Sequence, residues 1–153
     1  MTCEVIDTET RRDDHRPMDT TMTTDWIREA MPLCATLGME AESATPAEVV
    51  LSLAWAPELC TSGGLLHGGV LMALADSAGA ACAFLNLPEG AGTSTIESGT
   101  HFLGRVTEGR ITATARPLHV GKTTVVVETE VRSSNGRLVA KVSQTQAVLR
   151  PSG

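Results

Sequence analysis

The chain lacks the excess of basic residues that is typical of nucleic-acid-binding proteins. Its 153 residues include 12 Lys and Arg against 18 Asp and Glu, which gives a formal net charge of −6. Phosphate binding depends on clustered Lys and Arg side chains, and the sequence contains no such cluster. The composition therefore argues against nucleic acid as a partner.

Long apolar runs and paired cysteines are also missing. The longest apolar stretch, residues 70–87, is interrupted by Asp76 and Asn86, which favours a buried helix over a membrane span. The four cysteines include no Cys-x-x-Cys pair, as expected for reduced thiols in the cytoplasm. Residues 9–16 alternate in charge and provide no apolar centre for a signal peptide. We expect a cytoplasmic protein that does not insert into a membrane.

Signatures of several catalytic classes are absent as well. No Gly-x-Ser-x-Gly motif is present, which disfavours a Ser-His-Asp hydrolase. Gly121-Lys122-Thr123 is similar to the end of a phosphate-binding loop, but Arg116 replaces the first glycine, so we expect an ordinary turn. The His and Cys residues are scattered along the chain, and we predict no metal site.

Two regions differ in composition. Residues 1–24 are rich in Thr, Asp and Arg and are predicted to form a flexible tail, whereas residues 25–153 fit a single domain. Helical spacing of apolar residues predicts a short helix from Thr24 or Asp25 to about Gly38. Alternation in residues 39–55 predicts a hairpin of two strands.

The second half of the chain combines one long helix with several strands. Residues 67–85 are predicted to form a central helix that is apolar on almost every face. Alternating patterns and an Asn135-Gly136 turn then predict a meander. The order helix, hairpin, buried helix and meander indicates an α+β domain in which one antiparallel sheet covers one helix. The predicted meander strands are residues 94–103, 110–117, 123–132 and 138–149.

Asp76 is the anomaly of the central helix. A charged carboxylate among Leu, Met and Ala costs several kcal/mol unless partners satisfy it. It is either bonded to a nearby hydroxyl, such as Ser77 or a strand Thr, or required for chemistry. Gly68 and Gly69 favour chemistry, because the amides and dipole of a helix N-terminus can hold an oxyanion. A tight turn or close packing is the other explanation for the two glycines.

The motif His67-Gly68-Gly69, followed by Leu74-Ala75-Asp76, resembles that of hotdog-fold thioesterases in the phenylacetic-acid-degradation (PaaI) and 4-hydroxybenzoyl-coenzyme A thioesterase group. The similarity runs from about Trp26 to Leu149. It implies a hotdog fold, in which a five- or six-stranded antiparallel sheet wraps around the central helix, and assembly into dimers or dimers of dimers. It also implies an acyl-coenzyme A substrate, with no cofactor besides the coenzyme A of the substrate.

The same resemblance implies roles for individual residues. Asp76 acts as general base or nucleophile on the thioester, and the Gly68 amide donates to the carbonyl oxygen. Ser94 matches a hydroxyl that holds the attacking water, although a plain strand serine is equally consistent. Thr61 stands where the family often has Asn or Gln, which leaves its role in substrate binding open. Lys122 lies in a turn near the coenzyme A phosphates, with a solvated surface charge as the alternative.

Helix geometry separates the two candidate catalytic groups. Gly68 and Asp76 are eight positions apart (76 − 68 = 8), hence about 12 Å at about 1.5 Å per residue. A reacting carbonyl allows only about 6 Å between its donor and the attacking group. If both act, they come from two subunits of a symmetric dimer. His67 lies about half a turn from Asp76, so His67 and Gly69 are expected to shape the site or orient substrate.

Two other functions stay open for this sequence. A hotdog module could bind acyl thioesters without hydrolysing them, since a fold does not fix an activity. A hotdog dehydratase would be expected to use a histidine beside the carboxylate, and the offset of His67 argues against it. Aryl, phenylacetyl and medium-chain acyl groups are all compatible with the sequence.

Overall fold

The computed structural model describes residues 22–151, which form a six-stranded antiparallel sheet with a long helix packed on it. The predicted α+β class is therefore confirmed. The predicted tail falls largely outside the described residues, and the single-domain assignment of residues 25–153 stays a prediction. The elements in chain order are α1 (Thr24–Ala30), α2 (Pro32–Leu37), β1 (Glu40–Thr45), β2 (Glu48–Ala54), α3 (Gly68–Phe84), β3 (Gly92–Phe102), β4 (Arg110–Val120), β5 (Thr124–Ser133) and β6 (Leu138–Leu149).

The strand order, β1-β2-β4-β5-β6-β3, departs from the predicted meander. β3 pairs with β6 instead of β4, from Gly92 opposite Leu149 to Phe102 opposite Ala140. Alternation along a strand reports which face is buried, but it carries no information about the neighbouring strand. β3 thus forms one edge of the sheet, and β1 forms the other.

The predicted single helix up to Gly38 is wrong, because two helices occupy this region. Pro32 is the cause, since the residue before a proline is disfavoured in helical geometry, and Met31 has φ −130° and ψ 88°. Thr23 caps α1 by accepting the Trp26 N–H at 3.2 Å, and Gly38 ends α2 at φ 74°. α1 and α2 are therefore two separate helices.

The core lies between α3 and the inner face of the sheet. Val49, Leu51 and Leu53 on β2 are fully buried, as their alternation predicted. α3 contributes Leu74 and Ala78 to the same layer, both with no exposed surface. Burial of these apolar side chains is the main favourable contribution to folding. No helix in the described part of the chain is long and apolar enough to cross a membrane.

One face of α3 is not covered by the sheet. Met72, Asp76, Ala80 and Phe84 recur at every fourth position, and each is half-buried or exposed. Residues four apart lie on the same side of a helix, so these four form one stripe, which we call the open stripe. The sheet packs on the other side of α3, and the open stripe stays accessible among the described residues.

Close packing of α3 on β6 depends on Gly79. The ideal position of a Cβ at Gly79 lies 1.7 Å from Oε1 of Gln144, a side chain that is fully buried. No larger residue fits there unless the Gln144 side chain moves. Gly79 therefore fixes how α3 lies across β6.

Replacement of Gly79 by alanine is expected to lower the free energy of unfolding. Overpacking a core costs about 1–3 kcal/mol, whereas the better helix propensity of alanine returns at most about 1 kcal/mol. Urea denaturation measures the difference. Gly63→Ala is the matched control, because its Cβ would meet nothing within 4 Å, and a change of at most about 0.5 kcal/mol is expected. A Gly79→Ala protein as stable as the control would contradict the packing argument.

Candidate active site

The Asp76 carboxylate is held on one side only. Its Oδ1 accepts a hydrogen bond from Gln144 Nε2 of β6 at 2.5 Å and another from Thr95 Oγ1 of β3 at 3.0 Å. Among the described residues, Oδ2 accepts no hydrogen bond. Two donors offset much of the desolvation that burial imposes on the carboxylate. One oxygen is thus anchored, and the other is left for a ligand.

A buried polar network supports these two donors. Gln146 is fully buried like Gln144, and its Nε2 donates to Thr95 Oγ1 at 2.8 Å. Thr93 Oγ1 in turn donates to Gln146 Oε1 at 3.2 Å. Because the Thr95 oxygen already accepts from Gln146, its own hydrogen is directed to Asp76. The network fixes the donor geometry around the carboxylate.

Neither glutamine was predicted from the sequence, whereas a strand threonine was predicted as one possible partner of Asp76. Bonding to such a threonine and a role in chemistry are compatible, since only Oδ1 of Asp76 is engaged. Gln144 and Gln146 are two positions apart, so they point to the same face of β6. Both glutamines lie on the strand face that also carries the buried Val142. That pattern was the sequence signal that could have identified them as buried partners of a polar group.

Ser94 lies on the other face of β3 from Thr95. It is exposed, and the neighbouring Thr95 supplies the hydroxyl that reaches Asp76. Successive side chains of a strand point to opposite faces of the sheet. The prediction of Ser94 was therefore off by one position, and Thr95 is the residue on the face toward Asp76. Within this chain the structure does not bring Ser94 and Asp76 together.

The N-terminus of α3 separates the roles of its first residues. His67 is the N-cap, and its Nδ1 accepts the Gly69 N–H at 2.8 Å. Gly69 therefore has no free amide for a substrate, which corrects the expectation of two available amides. Within the described residues, the Gly68 N–H donates to no acceptor. Gly68 is thus the one candidate oxyanion donor of this pair.

Phe102 is a neighbour of Gly68 that the sequence did not predict. A Cβ at Gly68 would lie 3.1 Å from Cζ of the Phe102 ring, and the Phe102 side chain is 53% exposed. Phe102 ends β3, and the β3 position beside α3 was unknown from the sequence. An exposed aromatic ring beside a free amide can contact a bound ligand.

Thr61 and Lys122 both lie in exposed segments between regular elements. Thr61 is exposed in a turn, where its N–H donates to Leu65 O at 2.8 Å. Lys122 is exposed between β4 and β5, as expected for a turn. That turn leads into Thr124, opposite Ala147 on β6, whereas Phe102 beside Gly68 lies opposite Ala140. Seven residues of β6 span about 23 Å, so Lys122 and Gly68 are at opposite ends of the sheet.

The two buried cysteines, Cys34 and Cys82, do not compete with Asp76 as nucleophiles. Burial raises the pKa of the Cys82 thiol to about 11, and burial also raises the pKa of Cys34. Both thiols stay protonated near neutral pH and are poor nucleophiles. In residues 22–151 no three His, Cys, Asp or Glu side chains converge, and the predicted absence of a metal stays a prediction.

Comparisons with known sequences give a consistent family. Residues 63–140 match the thioesterase superfamily. The 1,4-dihydroxy-2-naphthoyl-CoA hydrolase of Listeria monocytogenes is 30% identical over 118 residues, which cover 77% of this chain and 96% of that protein. A protein of Vibrio cholerae, provisionally named an esterase, is 36% identical over 87 residues, 57% of this chain. The match spans only 58% of the length of the Vibrio protein.

Solved structures agree with the fold. AziG of S. sahachiroi has a TM-score of 0.75 and 32% identity, covering 78% of this chain and 98% of its own. A thioesterase of Haemophilus influenzae has a TM-score of 0.79 at 24% identity, covering 85% and 92%. The second likeness supports the fold alone. The predicted hotdog architecture is confirmed.

Thr95→Val is expected to destabilise the protein by about 1–3 kcal/mol, because it leaves the buried Gln146 amide without an acceptor. Thr95→Ser, which keeps the hydroxyl, is the matched control and should lose less stability, although valine is the better strand former. The free energy of unfolding in urea distinguishes the two. If the valine variant is the more stable one, the network does not hold Thr95.

Proposed function

Because this chain belongs to the thioesterase superfamily, we propose that it hydrolyses an acyl-coenzyme A to the free acid and coenzyme A. The single observation that carries the proposal is the anchored carboxylate of Asp76. Its Oδ1 is occupied by Gln144 and Thr95, its Oδ2 is free among the described residues, and it lies on the open stripe of α3. An aryl acyl group is also supported by the name of the Listeria relative.

Asp76 acts as general base in the simplest mechanism. Its Oδ2 accepts a proton while the water oxygen bonds to the thioester carbonyl carbon, and negative charge collects on the carbonyl oxygen. The Gly68 N–H donates to that oxygen. Collapse of the intermediate breaks the C–S bond, and the coenzyme A thiolate takes the proton. A thiol ionises near pH 8.5, so its departure needs no strong acid. Direct attack by Asp76 is the alternative, with water then hydrolysing the anhydride.

A symmetric dimer brings the two groups together. α3 runs without interruption from Gly68 to beyond Asp76, so these residues are about 12 Å apart in one chain. The open stripe and the unpaired edge of β3 leave surface for a second copy. Antiparallel α3 helices then place Gly68 of one subunit opposite Asp76 of the other. A dimer of such dimers is compatible with the same sites.

The remaining predicted residues have supporting roles in this proposal. His67 holds the start of α3 in place by its bond to Gly69. Ser94 and Thr61 are exposed and are available to substrate or to the second subunit. Lys122 supplies a cation for the coenzyme A phosphates.

Asp76→Asn is expected to lower kcat/KM by about a thousandfold or more, because an amide cannot accept the proton from water. Release of free thiol from a panel of acyl-coenzyme A thioesters measures the rate. Analytical ultracentrifugation checks that the variant assembles like the wild type. Binding of acyl-coenzyme A by the wild type without thiol release would instead identify a non-catalytic module.

Gly68→Pro removes the candidate donor without breaking the helix. Proline is well tolerated at the first helical position, and His67 already has the extended ψ of 135° that a following proline requires. A loss of about 100-fold to 1000-fold in kcat is expected. Gly68→Ala keeps the N–H and controls for contact with Phe102. Equal activity of the proline and alanine variants would exclude the amide from catalysis.

Mixing the two inactive variants tests the shared site. In a dimer of one Asp76→Asn chain and one Gly68→Pro chain, one site carries both substitutions and the other carries neither. Random assortment of equal amounts then restores about a quarter of the wild-type activity. No recovery after verified subunit exchange would place both residues in one chain's site.

A further inference from the structure

A cavity of about 340 Å³ lies against the part of α3 that follows Asp76. α1 and the break after it contribute Trp26 and Met31, α3 contributes Ala80 and Phe84, and the start of β3 contributes Thr93. Its size falls within the range of small-molecule pockets, which is about 300–1000 Å³. The cavity has an apolar wall from three different elements.

Two elements connect this cavity to the carboxylate. Ala80 follows Asp76 by four residues on the open stripe, about 6 Å along the axis of α3. On β3, Thr93 lies two positions before Thr95, the hydroxyl that binds Asp76, so both point to the same face. A group bonded to a carbonyl at Asp76 can therefore continue along α3 into the cavity.

Two of the few aromatic residues of the chain, Trp26 and Phe84, lie at this cavity. The whole chain has only two Trp, two Phe and no Tyr. Trp26 and Phe84 lie with ring centroids 5.6 Å apart at one side of the cavity, and the Phe84 side chain stays 41% exposed. Aromatic side chains contribute most when they are buried. Half of the aromatic residues are thus kept at a cavity rather than in the core.

None of the described residues that line the cavity carries a charge. Among the residues that line it, Thr93 is the one with a hydroxyl, and that hydroxyl is already bonded to Gln146 and to the Ala147 carbonyl. An anionic acyl group would lose its hydration there without gaining a partner, which costs several kcal/mol. A neutral apolar group would gain by burial.

We propose that this cavity, between α1 and the C-terminal half of α3, binds the acyl group of the substrate and selects bulky, uncharged aryl or medium-chain acyl groups. The inference rests on the proposed thioesterase function. The acyl group extends from Asp76 toward Phe84, in the same chain as the carboxylate. Coenzyme A then extends in the opposite direction, away from α1.

Ala80→Leu fills the cavity and tests the selection. The ratio of kcat/KM for benzoyl- and octanoyl-coenzyme A to that for acetyl-coenzyme A is expected to fall about tenfold or more. Ala35→Leu is the matched control, because Ala35 lies on α2 beside a separate cavity near Leu59, and its ratio should equal that of the wild type. The wild type should also prefer benzoyl- over succinyl-coenzyme A by about tenfold or more. Unchanged ratios in Ala80→Leu, or equal use of succinyl-coenzyme A, would overturn the proposal.

A binding measurement separates this inference from the proposed hydrolysis. Trp55→Phe leaves Trp26 as the sole tryptophan, and the emission of Trp26 is followed while the octyl thioether of coenzyme A, which cannot be hydrolysed, is added. A change with the thioether but not with coenzyme A alone supports the acyl site, even if no thioester is hydrolysed. Thioether binding without such a change rejects it. A change of oligomeric state in Trp26→Ala, seen by ultracentrifugation, would instead assign the cavity wall to subunit contact.

Discussion

The two hydrogen bonds to Oδ1 of Asp76 are the constraint on which the arrangement of this domain depends. They join α3 to β6 through Gln144 and to β3 through Thr95. Since Gln144 is fully buried beneath Gly79, α3 can neither rotate nor slide along the sheet without breaking a buried polar contact. A half-buried carboxylate at the edge of an apolar core loses part of its hydration, and the surrounding hydrogen bonds offset that cost. The same contacts therefore fix both the position of the carboxylate and the packing of α3 on the sheet.

The open stripe gives the anchored carboxylate its second role. A helix that the sheet covers on one side exposes Asp76 together with the small side chain of Ala73. Small residues allow another helix to approach closely, which is what a site assembled from two subunits needs. The length of α3 makes this requirement strict, because about 12 Å of rigid helix separate Asp76 from the Gly68 amide. Chemistry and association are coupled in this proposal by the geometry of a single helix.

A local backbone effect at Pro32 reaches the same site from another direction. The proline ends α1 at Ala30 and removes Met31 from helical geometry, so α1 and α2 do not form one continuous helix. Trp26 then meets Phe84 on α3, and Met31 faces the cavity instead of continuing a helix. The wall of the proposed acyl site thus depends on where the helix breaks.

Much of the fold could be predicted from the sequence, because the relevant signals are local. The periodicity of residues 67–85 gave α3 within one residue at each end, and Asn135-Gly136 marked the turn between β5 and β6. The charge of Asp76 among apolar neighbours identified the candidate site for the same reason. Ser94 was predicted where Thr95 is the residue that binds Asp76. The two hydroxyls are adjacent in the sequence and differ only in the face of the sheet to which they point. Gln144, 68 positions from Asp76 along the chain, and the edge position of β3 were decided only by the tertiary structure. Periodicity depends on neighbours along the chain, whereas which distant side chains meet depends on how whole elements pack.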